Sequence, residues 1–74
     1  MKVFVNTPIA NDMIIKLLTD YRENGVEFKF VKKTGIKLEF EANNIEASSA
    51  SDLVKSLIRS TEIGKALYFS VETV

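Results

Sequence analysis

The chain has 74 residues, 46% hydrophobic and 27% charged, and its ten basic and ten acidic side chains cancel to a formal net charge of zero. That length supports one core and one domain, residues 1–74, with the composition of a folded soluble protein rather than a disordered segment. With no Cys and no His, the chain lacks thiolate nucleophiles, disulfides, imidazole bases and the common Zn or Cu ligand sets, and no apolar run approaches the roughly 18 residues of a membrane span.

Lys2 to Asn6 alternates, with Val3 and Val5 facing one way and Phe4 the other, which is the period of a half-buried strand. Thr7-Pro8 predicts a helix start, Pro fitting the first helical position and the Thr7 hydroxyl capping the turn that follows. Ile9, Ala10, Met13, Ile14, Leu17, Leu18 and Tyr21 form an apolar stripe at helical spacing, and Asn24-Gly25 predicts a left-handed end to that helix. In the second strand Val26, Phe28 and Phe30 alternate with Glu27, Lys29 and Val31; in the third, Ile36, Leu38 and Phe40 alternate with Lys37, Glu39 and Glu41. Lys33-Thr34-Gly35 suits a three-residue hairpin with Gly at a left-handed last position, which sets Lys32 opposite Ile36, Phe30 opposite Leu38 and Lys29 opposite Glu39. Residues 42–48 form an extended connection from which Ile45 reaches the core edge. Ser49 and Asp52 give a capping-box pattern, Ala50, Leu53, Val54, Leu57 and Ile58 make a second stripe, and Gly64 is expected to stop that helix. A last strand is predicted from Ala66 to about Thr73, with Leu67, Phe69 and Val71 inward and Tyr68, Ser70 and Glu72 outward.

The order strand, helix, strand, strand, helix, strand predicts an α+β domain, the ferredoxin-like βαββαβ two-layer sandwich. Each strand has one apolar face and each helix one apolar stripe, so both helices are expected on one face of a single sheet. Right-handed crossovers then give the antiparallel order 4-1-3-2.

One sheet face is left without helical cover, and there the pattern gathers Phe4, Tyr68 and Ser70 on one half and Glu27, Lys29, Val31, Lys37, Glu39 and Glu41 on the other. Phe4 and Tyr68 as neighbours either cover each other or form a contact surface, together with Ser70 and Val31, for a second copy or a larger protein. The edge strand Val26 to Lys32 offers strand addition as a second route, which Glu27, Lys29 and Lys32 discourage. At the end where the first strand exits, Lys32, Lys33 and Lys65 suggest an alternative site for an anion, a phosphate metabolite or nucleic acid. The absence of a basic excess weighs against nucleic acid.

Lys2-Val3-Phe4-Val5-Asn6 resembles the first strand of an RNA-recognition motif, in which an aromatic at the Phe4 position stacks on a base. The likeness covers about six residues, and Lys37, Glu39 and Glu41 stand where that family carries further aromatics. Heavy-metal carriers, amino-acid-sensing regulatory domains and acylphosphatases are similar in topology. Asn6-Thr7-Pro8 has neither the Cys pair of the first, nor the Gly of the second, nor the phosphate loop of the third. Glu27, Glu39 and Glu41 share the open face, but nothing in the pattern buries them as an acid–base pair requires. The sequence therefore leads to a cytoplasmic, non-catalytic protein-binding or regulatory module. It is expected to need no cofactor, metal or membrane, and to act as a homodimer or docked on a larger protein.

Overall fold

Apart from Lys33 near the hairpin and Thr73 in the last strand, the inward-facing strand positions are apolar, and this alternation organises the sheet. The computed structural model describes residues 1–74. Along the chain lie β1 (Lys2–Asn6), α1 (Asn11–Thr19), a 3-10 turn (Glu23–Gly25), β2 (Glu27–Thr34), β3 (Lys37–Asn43), α2 (Ala47–Arg59), α3 (Glu62–Ala66) and β4 (Ser70–Thr73). The strands form one antiparallel sheet in the order β2-β3-β1-β4, the predicted order read from its other edge. Val3, Val5, Phe28, Leu38, Phe40 and Ala42 from one sheet face share a single core with Ile14 and Leu18 of α1 and Ala50, Val54 and Ile58 of α2. Both long helices thus cover the same face, and the architecture is a ferredoxin-like two-layer α+β fold. Burial of each large side chain is worth roughly 1.5–3 kcal/mol, most of it offset by lost chain entropy. No helix is long and apolar enough to cross a membrane.

The first helix begins at Asn11 rather than at Pro8. The Thr7 N–H donates to the Ile36 carbonyl at 2.9 Å, which carries the β1–β3 ladder one step further and holds Thr7 extended. The buried Thr7 hydroxyl donates to the Ile9 carbonyl at 2.7 Å instead of capping a helix, and Ala10 makes the turn at φ 64°. Ile9 is thereby left off the helical stripe and exposed. Asn24 and Gly25 are left-handed, as their types suggested, but they belong to the 3-10 turn; α1 has already ended at Thr19.

The hairpin differs from the predicted register. Its turn has two residues, Gly35 and Ile36, between the paired Thr34 and Lys37, and a bulge falls at Val31. Lys29 faces Glu41, Phe30 faces Phe40, Lys32 faces Glu39 and Lys33 faces Leu38. The reason lies in parity. A two-residue turn without a bulge would set Phe30 against Glu41 and turn Phe28 and Phe30 to the open face, because a one-residue slip inverts a strand. The extra residue restores both to the core side, where Phe30 packs edge-on against Phe40 with ring centroids 5.5 Å apart.

Beyond β3, Asn44 turns the chain at φ 65°, Ile45 packs against the core as expected, and α2 starts at Ala47 without a side-chain cap, two residues ahead of Ser49. Gly64 does not end α2. That helix stops at Arg59, and Thr61 caps the separate α3, its Oγ1 accepting from the Gly64 N–H at 2.9 Å. Gly64 is buried where a Cβ would overlap the Ile58 carbonyl, so glycine serves close approach here. Arg59 donates to the carbonyls of Gly64 and Leu67, both at 3.0 Å, and its guanidinium lies 4.6 Å from the Phe69 ring centroid. Because α3 takes up Ala66, β4 is shorter than the alternation suggested and begins at Ser70.

Candidate functional site

The open sheet face is built from the outward residues of each strand, and strand register decides their neighbours. Phe4 sits between Glu39 on β3 and Glu72 on β4. Its ring is half-buried beneath Lys37, whose Nζ stands 5.1 Å from the centroid. Such a cation satisfies the negative face of the ring and covers it. The expected Phe4–Tyr68 neighbours are not brought together, since Tyr68 lies four positions before Glu72, the residue that faces Phe4. Asn6 links the β4 side of this face, donating from Nδ2 to Ser70 Oγ at 3.1 Å and to Glu72 Oε1 at 2.7 Å. Val31, read as part of the same face, is the exposed bulge residue at the far edge on β2.

Charges on this face are largely matched. Glu39 lies 3.7 Å from Lys2 Nζ and faces Lys32, and Glu41 lies 3.0 Å from the Met1 amino group and faces Lys29. No three acidic side chains converge into a cation site. The three lysines of the hairpin-end reading are dispersed. Lys32 is on the open face, Lys33 faces Leu38 on the helix side, and Lys65 belongs to α3 on the β4 side of the sheet, 3.4 Å from Glu62. None of the three lines either groove of the structure.

What the fold does bring together is an apolar groove at the end of the sheet where β1 exits. The bond from Thr7 N–H to the Ile36 carbonyl holds the hairpin tip against the β1–α1 turn, and β4 enters alongside. Asn6, Pro8, Ile36, Tyr68, Phe69 and Ser70 line a shallow groove of about 340 Å³. Tyr68 is 82% and Ile36 56% exposed, and Ile9, next to Pro8, is 60% exposed. Tyr68 and Ser70 were legible in the sequence as outward residues. Pro8, Ile9 and Ile36 escape a reading of the sequence because they carry the local signals of a helix start, a helical stripe and a strand interior. The available signal was Gly35-Ile36 read as a two-residue turn, which puts Ile36 at a tip.

No family model, curated protein or solved structure is found to match the chain. The architecture by itself selects no activity, since superfolds of this kind carry many unrelated sites.

Proposed function

We propose that the protein is a non-catalytic binding module that docks onto another protein by receiving an apolar side chain in the groove between Pro8, Ile36 and Tyr68. The observation that carries this reading is the grouping of Pro8, Ile36 and Tyr68, all exposed, around one concavity. Patches of this kind mark contact sites, and a tyrosine at the rim supplies the rigid, amphipathic area that dominates such contacts. Asn6 and Ser70 form a polar border on one side of it.

The test compares proteins cross-linked in cell extract to the wild-type chain with those cross-linked to Ile36→Asp, which places a charge at the groove without touching the core. Phe4→Glu, on the open face, serves as the comparison. A partner held by the wild type and by Phe4→Glu but lost with Ile36→Asp supports the groove. Partners retained by Ile36→Asp and lost with Phe4→Glu would move the contact to the open face and overturn this reading.

A further inference from the structure

The two edges of the sheet are built differently. On β2 the edge is interrupted by the bulge at Val31 and flanked by Lys29, Lys32 and Lys33, the devices that discourage pairing with another chain. On β4 there is no Pro, no Lys and no bulge. Lys2 and Val74 exchange both backbone hydrogen bonds, at 3.0 and 2.9 Å. Antiparallel alternation then directs the N–H and C=O groups of Ser70 and Glu72 toward β1, and those of Val71 and Thr73 away from it, at the outer edge of the sheet.

We propose that the protein forms a two-fold dimer in which β4 of one copy pairs antiparallel with β4 of a second, centred on Val71. Side-chain chemistry selects this register. Val71 meets Val71 of the second copy on the helix side, flanked by Phe69 against Thr73. On the open side Ser70 meets Glu72 and Tyr68 meets Val74, so a hydroxyl donor faces the only charge on the strand. The same register makes neighbours of two of the most exposed apolar side chains of the molecule, Tyr68 at 82% and Val74 at 79%. Moving the second copy by two residues one way sets Glu72 against Glu72, a like-charge pair. Moving it the other way requires ladder bonds from Leu67, whose N–H already donates to Gly64 and whose carbonyl already accepts from Arg59. The Val71-centred ladder gains roughly six backbone hydrogen bonds and extends β4 back to Phe69, giving a continuous sheet of two copies with a closed, isologous interface. The zero net charge removes long-range repulsion between copies. This dimer does not depend on the groove as a docking site.

Sedimentation equilibrium from micromolar to millimolar concentrations, with amide exchange followed by NMR, tests the proposal. The expected result is a doubled mass, with the Val71 and Thr73 amides gaining protection as concentration rises. Ser70→Glu sets two carboxylate pairs against each other and is expected to weaken association about tenfold. Adding Glu72→Lys converts both contacts to ion pairs and restores it. Val71→Pro removes an outward N–H without touching the β1 ladder, and abolishes dimerisation if Ser70→Glu disturbs the fold. A chain monomeric at millimolar concentration overturns the proposal, as does a dimer whose Val71 and Thr73 amides stay unprotected. Failure of Glu72→Lys to rescue a folded Ser70→Glu chain also overturns it. Ile36→Asp leaves this dimer intact, so a lost groove and a lost edge are told apart.

Discussion

Ala10 occupies a backbone conformation, φ 64° and ψ 28°, that an L-residue with a Cβ adopts at a cost of about 1–2 kcal/mol. It does so because Thr7 is held extended by Ile36 while Asn11 must already be helical, leaving three residues to reverse the chain. Ala10→Gly relieves the strain and returns part of the gain as unfolded-state entropy, for a net stabilisation of about 0.5–1 kcal/mol. For a domain of this size that is a rise in midpoint of about 4 °C, measurable by thermal unfolding. Gly64 is the converse case. Its φ is unexceptional, and its requirement comes from the Ile58 carbonyl lying where a side chain would begin.

Between β2 and β3 the bulge at Val31 is the device that reconciles a tight turn with an inward Phe28 and Phe30. Deleting Val31 makes the ladder continuous with every other pair unchanged, Phe30 on Phe40 and Lys32 on Glu39. The variant is expected to fold with stability within about 1 kcal/mol of the wild type in urea denaturation. Its β2 edge, once straight, is expected to associate more readily than the parent at equal concentration, as light scattering would show. The order of the four strands and two long helices and the second helical stripe were legible in the sequence because they rest on apolar periodicity sustained over a whole element, and the sheet order followed from crossover handedness; the short α3 and the ends of the first stripe were not. Termini and register were not, because they turn on single contacts. The cap signals at Thr7-Pro8 and Ser49 were sound locally, yet Thr7 was committed to Ile36 across the sheet, and the turn at Asn44 let α2 begin earlier. The register beyond Phe30 depended on one extra residue that no periodicity announces. Part of the groove was hidden by the same errors, since Ile36 reads as a strand residue until the turn is known, and Pro8 as the first residue of a helix.

With no cysteine to cross-link and a core of 13 buried residues, the molecule depends on the packing of one layer of helices against one sheet. Total stability for a chain of this length is about 4–11 kcal/mol. Phe40, fully buried at the centre of β3, is expected to cost about 3–5 kcal/mol when replaced by Ala, leaving a measurable unfolded population in water by circular dichroism. The last strand is anchored on two sides, by β1 and by Arg59, which ties the carbonyls of Gly64 and Leu67 and covers Phe69. A terminal strand on a pliant connector is the segment that neighbouring chains most readily trade, each completing the other's sheet. Arg59 keeps residues 60–69 folded back as a compact elbow, so that connector cannot straighten to reach another molecule without giving up three contacts at once. Each chain therefore keeps its own fourth strand, and the contacts proposed for it are ones between finished folds.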